Sequence, residues 1–420
     1  MSFQKNIKKA LRPFLPDVKT IPQMLSQLVW HPYLQQLTDT SVHIYWATHL
    51  GLNPMVEYHD GDGHFVLAEG YSRQIPYRVR LWPYPYLKLH RVALTGLKPN
   101  TKYYYRLFNE GAPMLPQQYL SFRTAPETGS NLPFNFVAFG DFGNGSVSQH
   151  RLRDQLQKDQ FQFILTVGDN SQGQGQFYQL NSTIFKVYED IFCRAGLFTT
   201  LGNHDYETHD AAPSLSVFDT PRQALREWDQ KRYYSFDYGN VHFVVLDSNR
   251  PLDDDSLADS NNMLTWLKQD LANTAQPWKV VTCHHPPYNL GKNGEDERVK
   301  THLVPIFEEY NVDLVISGHE HNYQRSKPLR NHKVATAGDG GVIYLVSGAG
   351  AGAKRPLIKK EADWLGLAIA SENQGLYNRI TVAGHTMIVK TIDETGTERD
   401  TFKLQKTSLP LPQLQMEVAA

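Results

Sequence analysis

Alternation of apolar and polar positions marks the first part of the chain as β-structure. Val42, Ile44 and Trp46 occupy alternate positions, which is the period of two expected of a half-buried strand. Glycine, aspartate, asparagine and proline interrupt such stretches repeatedly, as at Gly61-Asp62-Gly63. The pattern predicts an all-β domain over residues 20–127.

A leucine- and proline-containing stretch, Leu94–Thr101, leads into a predicted strand at Tyr103–Leu107. A tyrosine that follows such a corner is typical of a β-sandwich, in which its hydroxyl bonds back to the backbone a few residues upstream. The domain therefore resembles a fibronectin type III-like sandwich.

Short buried-strand candidates alternate with helical patterns from residue 134 onward, and a strand hairpin is predicted around Gly384. The strand candidates are residues 134–139, 163–167, 197–201, 241–246, 279–283, 314–317 and 342–347. Apolar residues three and four apart predict helices between several of them, through Leu152, Tyr188 and Leu267. This alternation predicts a layered α/β domain over residues 134–400. The fold class is thus α+β, with a sandwich domain followed by an α/β domain.

Composition narrows the classes of partner. The chain has 420 residues, of which 40% are hydrophobic and 20% charged, and its formal net charge is −1. Such a balance does not favour nucleic acid or an anionic membrane. No apolar stretch approaches the ~20 residues of a transmembrane helix. We therefore expect a globular protein without nucleic-acid partners, and the sequence does not set its oligomeric state.

The N-terminus and the cysteines bear on the compartment. The first 19 residues are basic but have no apolar core of the length found in secretory signals. Cys193 and Cys283 both lie in apolar surroundings, where buried free thiols are expected. A cytoplasmic location is the resulting expectation.

Five polar segments follow apolar runs, where a sheet would gather distant residues into one crevice. They are Gly140-Asp141-Phe142-Gly143, Gly168-Asp169-Asn170, Gly202-Asn203-His204-Asp205, His284-His285-Pro286-Pro287-Tyr288 and Gly318-His319-Glu320-His321. Carboxylate, amide and imidazole ligands together suit iron, manganese or zinc better than calcium. Two cations close together need a shared carboxylate, for which Asp169 is the natural candidate. A single aspartate or histidine of this kind is as readily a helix cap or a loop hydrogen bond, so the hypothesis depends on the whole set.

These motifs, in this order, resemble those of the calcineurin-like metallophosphoesterases, and the β-domain ahead of them resembles the purple acid phosphatase branch. In that family the residues matching Asp141, Asp169 and His321 bind a first metal. Those matching Asp169, Asn203, His284 and His319 bind a second, and the residue matching His204 lies beside the phosphate. Asp205 is a candidate to orient His204 by accepting its second N–H, or else an ordinary polar turn residue.

Two positions depart from the family pattern. The family usually has a tyrosine three residues after the bridging aspartate, and its phenolate on ferric iron gives the purple colour. This chain has Gln172 there, and Tyr178 is the alternative source of a phenolate. Related proteins often have a histidine in the loop that here contains Lys292 and Asn293. Lysine can contact a phosphate as a point charge, whereas asparagine cannot donate a proton to a leaving group.

The resemblance implies hydrolysis of phosphoric esters, most readily monoesters, by a metal-activated hydroxide at a dinuclear site. The metals would be iron, zinc or manganese, and the substrate a small phosphate ester. Two alternatives stay open. One is a phosphodiesterase that uses the same site. The other is a non-catalytic metal-binding or interaction protein with the same fold. Family members are often exported, in contrast to the cytoplasmic location expected from the first residues.

Overall fold

The structure is a computed structural model that describes residues 27–76, 86–115, 119–252, 262–336, 340–351, 356–357, 361–370 and 374–406. The basic N-terminal stretch and the start of the predicted sandwich domain at residue 20 lie outside the described residues. Within these ranges no helix is long and apolar enough to cross a membrane.

The described strands are numbered β1 to β24 in chain order. They are Leu28–Gln35, Ser41–Thr48, Pro54–His59, Val66–Glu69, Tyr71–Pro76, Tyr86–Thr95, Lys102–Asn109, Ala112–Pro113, Leu120–Arg123, Phe134–Phe139, Phe163–Thr166, Gly196–Phe198, Tyr234–Tyr238, Val241–Val245, Trp278–Thr282, Leu314–Ser317, Tyr323–Ser326, Leu329–Arg330, Lys333–Val334, Ile343–Ser347, Leu365–Ile369, Leu376–Ala383, Thr386–Asp393 and Glu398–Gln405.

The described α-helices are numbered α1 to α8. They are Val147–Leu156, Phe177–Gln179, Glu189–Phe192, Asn203–Tyr206, Ala212–Val217, Asn262–Asn273, Glu297–His302 and Val304–Glu309. A π-helix, Leu180–Phe185, and a 3₁₀-helix, Glu227–Asp229, complete the helical segments of the described ranges.

The described part of the chain divides into two compact units, of which the first contains the described residues between 27 and 124 together with residues 176–197. Its described strands form one sheet in the order β12-β1-β2-β6-β5 and a second in the order β4-β3-β7-β8, with β9 also paired to β7. The buried core between them includes Trp46, Val56 and Tyr105. The backbone N–H of Lys98 donates to the hydroxyl of Tyr103 at 2.9 Å. The sandwich and its tyrosine corner are therefore confirmed.

Residues 176–197 pack with this sandwich. The indole N–H of Trp30 donates to Asn181 Oδ1 at 2.7 Å, and its ring stacks on Phe185 at a centroid distance of 4.0 Å. The hydroxyl of Tyr105 donates to the carbonyl of Cys193 at 2.7 Å. The sequence analysis assigned this segment to the second domain, because its helical periodicity continues the α/β pattern. Its aromatic and polar contacts show that it packs with the first unit instead.

The second unit contains residues 125–175 and the described residues between 198 and 406, and it is layered. One sheet has the order β24-β23-β22-β10-β11, and the other the order β13-β14-β15-β16-β20-β17-β21. Their facing side chains form one core, in which Phe136 lies 5.1 Å from Phe243, edge to face. The helices α6, α7 and α8 pack on the other face of the second sheet through Leu267, Val299 and Phe307. The layered α/β class is confirmed.

Strand direction brings the polar segments to one edge of this unit. Strands β14, β15, β16 and β20 are parallel, as are β10 and β11. Asp141 follows β10, Asp169 follows β11, His284 follows β15 and His319 follows β16. Because the carboxyl ends of parallel strands open at the same edge, these loops converge there.

A buried histidine on β14 gives this unit a pH-dependent contribution to stability. His242 binds Asp237 at 2.7 Å through Nδ1 and Asp270 at 2.8 Å through Nε2. Burial alone would lower the pKa of His242, but the two carboxylates outweigh burial and raise that pKa to about 9. The stabilisation is therefore complete below the unfolded pKa of about 6.5 and is lost as pH rises through 9.

We expect the wild type to lose up to about 3 kcal/mol of unfolding free energy between pH 6.5 and 9.5 through this histidine. His242→Gln should be less stable at pH 6.5 and should lack this component of the pH dependence, as measured by urea unfolding across that range. The exposed His150 provides the control variant His150→Gln, which should follow the wild type. Parallel curves for wild type and His242→Gln would contradict the assignment.

Candidate metal centre

Two glycines allow the ligand loops to approach each other. A Cβ atom at Gly168 would lie 2.3 Å from Nδ1 of His284, and one at Gly202 would lie 2.2 Å from Oδ1 of Asp169. Both distances are far below van der Waals contact, so a side chain at either position would force the loops apart. The glycines that precede Asp169 and Asn203 are therefore required for the close packing of these loops.

Three of the polar side chains stand on a left-handed backbone. The φ angles are 56° at Asp141, 48° at Asp169 and 67° at His319. This region costs energy for residues other than glycine, and such residues cluster at functional sites. The left-handed backbone at three positions of one cluster therefore marks these loops as a candidate functional site.

Asp141, Asp169 and His284 form the centre of the cluster. One ligand atom from each lies within 4.8 Å of the other two, and all three residues are buried. The Nε2 atom of His284 is 3.5 Å from Oδ1 of Asp169. Its Nδ1 atom lies 2.9 Å from the carbonyl oxygen of Val167, so the ring is held with Nε2 toward the carboxylate.

Asn203 joins two histidines to this centre. Its Oδ1 atom lies 3.1 Å from Nε2 of His284 and 2.9 Å from Nδ1 of His319. On the other side, Nε2 of His321 lies 3.3 Å from Oδ1 of Asp141. The structure thus brings together all six residues that the sequence analysis proposed as metal ligands. Which cation each would bind stays a prediction.

The charge balance of the pocket fits cations. Burial would raise the pKa of Asp169, but the charges of His284 and His204 outweigh burial and hold that pKa below its ordinary value. Burial would likewise lower the pKa of His284, yet Asp169 raises it to about 9. A proton and a metal cation compete for the same imidazole atom, so a carboxylate that favours a proton on His284 would equally favour a cation there. Together with an amide and imidazole donor set, this suits transition metals.

His204 lies at the open side of the cluster, with 29% of its side chain exposed. Its Nε2 atom is 3.9 Å from Oδ2 of Asp169, and its backbone N–H donates to Oδ1 of the same residue at 2.8 Å. Its Nδ1 atom lies 2.8 Å from Oε1 of Glu207 and 3.0 Å from the carbonyl of Gly173. The ring is therefore fixed through Nδ1, and Nε2 faces the metal ligands.

Glu207 is a residue that the sequence analysis missed. It follows His204 by three positions, a spacing that places two side chains on the same face of a helix. That signal was present in the sequence, but Asp205, the immediate neighbour, was considered instead.

The expected contact between Asp205 and the ring of His204 is corrected by the structure. The Asp205 carboxylate accepts hydrogen bonds from the backbone of Gly202 at 2.9 Å and from the side-chain amide of Asn170 at 3.0 Å. Burial raises the pKa of Asp205 to about 6. The residue ties together the two loops that carry Asp169 and Asn203, because the helical turn at Asn203–Tyr206 directs its side chain inward. Its assignment to catalysis stays a prediction.

Gln172 and His285 border the cluster. The Gln172 amide nitrogen lies 3.4 Å from Oδ1 of Asp141, so a neutral amide stands where the family usually has a phenol. His285 is bound to the hydroxyl of Ser248 at 2.8 Å, and its ring lies 4.6 Å from that of His319. Burial lowers the pKa of His285 to about 2, so it packs as a neutral ring beside a proposed ligand.

The sequence matches two families of known proteins, and both matches agree with a metal site at this position. Residues 134–323 match the calcineurin-like phosphoesterase family, which defines the class of protein. Residues 30–124 match the N-terminal domain of purple acid phosphatases. The chain therefore contains a calcineurin-like phosphoesterase domain preceded by a purple acid phosphatase N-terminal domain, and this pair of domains implies a dinuclear metal site.

Plant proteins are among the similar sequences. Purple acid phosphatase 21 of Arabidopsis thaliana is 32% identical over 271 residues, which cover 60% of this chain and 58% of that protein. Purple acid phosphatase 22 of the same plant is 30% identical, with coverages of 60% and 59%. Probable purple acid phosphatase 20 is 29% identical over 360 residues, with coverages of 83% and 78%. The chain thus spans less than two thirds of the length of the first two.

Solved structures show the same fold. A purple acid phosphatase from seeds of yellow lupin, Lupinus luteus, superposes with a TM-score of 0.76 at 19% identity, covering 89% of this chain and 74% of that one. The structure of PhoD superposes with a TM-score of 0.63 at 13% identity, covering 94% of each chain.

Proposed function

We propose that the protein hydrolyses phosphoric monoesters at a dinuclear metal centre held by six residues: Asp141, Asp169, Asn203, His284, His319 and His321. The observation that carries the proposal is the convergence of these side chains into one cluster, in which Asp141, Asp169 and His284 are linked to His319 through Asn203 and to His321 through Asp141. The activities of the purple acid phosphatases that the chain matches support it.

The cations, when bound, would supply an activated water as nucleophile and would neutralise charge on the phosphoryl oxygens. The protein would hold them through Asp169 between the two groups of ligands, with Asp141 and His321 on one side. Asn203, His284 and His319 stand on the other side. Asp205 holds the loop of Asn203 through the backbone of Gly202, and the carbonyl of Val167 orients the ring of His284. The ligand side chains are therefore in position before substrate binds.

His204 is the proposed acid. Its Nδ1 side is held by Glu207 and the carbonyl of Gly173, which leaves Nε2 to donate a hydrogen bond to a phosphoryl oxygen and a proton to the departing oxygen. Because the amide of Asn293 is not acidic enough to protonate a leaving group, this function rests more on His204.

The test is elemental analysis of the purified protein together with an ester-hydrolysis screen. We expect two transition-metal ions per chain and faster hydrolysis of p-nitrophenyl phosphate than of bis(p-nitrophenyl) phosphate. A chelator should abolish the activity, and metal should restore it. The reverse substrate preference would favour a phosphodiesterase. Metal-loaded protein without hydrolysis of either ester from pH 4 to 10 would contradict an enzymatic function.

We further propose that the first cation lacks a phenolate ligand and is iron, manganese or zinc without a preference for the ferric state. The amide of Gln172 beside Asp141 supports this. The metal-loaded wild type should show no strong visible charge-transfer band, whereas Gln172→Tyr loaded with iron should gain one, measured by absorption spectroscopy at equal iron content.

Gln172→Phe is the matched control for this variant, because it has a ring of similar size and no hydroxyl. It should stay as colourless as the wild type. An intense band in the wild type that disappears in Tyr178→Phe would assign the phenolate to Tyr178 instead.

A further inference from the structure

A group of buried polar side chains next to His319 and His321 takes no part in the mechanism proposed above. Asn289, Glu320, Asn322 and Gln324 are each 3% exposed or less. A buried glutamate is destabilising unless its oxygens accept hydrogen bonds. The partners of Glu320 therefore indicate what this residue does.

Glu320 is bound to the loop of residues 289–294. Its Oε2 atom accepts a hydrogen bond from the backbone N–H of Asn293 at 2.9 Å and another from the side-chain amide of Asn289 at 3.2 Å. Its Oε1 atom has no hydrogen-bond partner among the described residues. All the hydrogen bonds described for this carboxylate thus go to one loop.

Steric fit and a second side chain hold the same loop. A Cβ atom at Gly291 would lie 2.2 Å from Cδ of Glu320, so the absence of a side chain there lets the loop rest directly on the carboxylate. Gln324 accepts from the backbone N–H of Leu290 at 2.8 Å and donates to Oδ1 of Asn289 at 2.7 Å. The loop is therefore fastened to the histidine-bearing segment from both of its ends.

This attachment places exposed polar groups beside a proposed metal ligand. The side-chain amide nitrogen of Asn293 lies 3.4 Å from the carbonyl oxygen of His319, and Lys292 and Asn293 are both exposed. An ammonium group and an amide N–H are both donors to phosphoryl oxygens.

We propose that Glu320 is a positioning residue, which holds Lys292 and Asn293 at the metal centre so that their side chains bind the phosphoryl group of the substrate. The inference rests on the proposed function, since it names binding groups of the same site. Glu320 acts through the loop and does not itself touch the substrate.

Two variants disturb the attachment from opposite sides. Glu320→Leu removes the acceptor and keeps the approximate volume, whereas Gly291→Ala lifts the loop and leaves the carboxylate intact. Glu320→Gln retains one acceptor oxygen and should restore most of the wild-type behaviour. Glu308 offers a matched control, because it is also buried and both of its oxygens accept from the backbone N–H of Asn331 in another loop.

Three measurements on the full-length, metal-loaded protein test the proposal: the dissociation constant of inorganic phosphate, the split between KM and kcat, and amide hydrogen exchange over residues 289–294. Glu320→Leu and Gly291→Ala should raise KM and weaken phosphate binding by about tenfold or more, the value of one charge-assisted hydrogen bond. They should speed exchange in the loop while kcat and metal content stay close to the wild type. Glu308→Leu should change none of these.

Faster loop exchange with unchanged phosphate affinity and KM would overturn the proposal, because the loop would then not bind substrate. Loss of metal together with affinity would also overturn it, since Glu320 would then support the ligands His319 and His321 rather than the loop. A wild type that binds phosphate but hydrolyses no ester would remove the proposed function. In that case phosphate affinity and loop exchange would still decide the role of Glu320.

Discussion

Asp169→Ala is expected to lose bound metal and activity together. The carboxylate lies among the proposed ligands, within 4.8 Å of ligand atoms of Asp141 and His284 and with Oδ1 3.5 Å from Nε2 of His284. Without it, two cations would repel each other with no shared anion between them. Turnover should fall by three orders of magnitude or more, because even one preorganised electrostatic contact is worth about 10²–10³-fold.

Elemental analysis and single-substrate kinetics on the same preparation measure this effect. Asp313→Asn is the matched control, since Asp313 is a largely buried aspartate outside the cluster, with 15% of its side chain exposed. It should keep its metal. If Asp169→Ala retained full metal content and rate, the assignment of this residue as the bridge would be wrong.

His204→Ala should keep its metal and slow turnover by about 10²–10⁴-fold, the usual contribution of general acid catalysis. The reason is geometric: Nε2 faces the ligands, and Nδ1 is occupied by Glu207 and Gly173. The loss should be larger for alkyl phosphates than for p-nitrophenyl phosphate, since p-nitrophenolate departs with little help from a proton. Steady-state rates on the two esters give the comparison.

Two further variants define what His204 does. Glu207→Ala should reduce kcat by less than His204→Ala. It removes one of the two partners of Nδ1 but keeps the imidazole itself and its contact with the carbonyl of Gly173. His150→Ala, which removes an exposed histidine, should have no effect. Equal losses on both esters in His204→Ala would show that this residue stabilises the transferring phosphoryl group without protonating the leaving group.

Much of the fold was predictable because its signals are local. The strands at Phe134–Phe139 and Leu314–Ser317 have the bounds that their apolar runs predicted, and β22 and β23 form the hairpin predicted around Gly384. The ligand segments were found for the same reason, since each combines a glycine with polar residues directly after a buried strand. Both buried cysteines are free thiols, as their surroundings predicted.

The features that could not be predicted from the sequence depend on contacts between distant segments. No local pattern shows that Asp205 binds Asn170 across 35 positions rather than its neighbour His204. The packing of residues 176–197 with the sandwich likewise depends on Trp30 and Tyr105, which are far away in the chain. Helix α8 and strand β24 were missed because a proline near the start of one and alternating charges in the other mask their apolar periodicity.

Because residues 176–197 pack with the first unit, the two units cannot be separated by a single cut in the chain. Judged from the sequence alone, a cut in the polar stretch after Pro126 would separate the two predicted domains. The carboxyl-terminal fragment would nevertheless carry away Asn181 and Phe185, which the sandwich uses to cover Trp30. Neither fragment would then contain a complete unit, so a recombination that transfers the second unit to another protein would need two crossover points in the gene, or a replacement for residues 176–197.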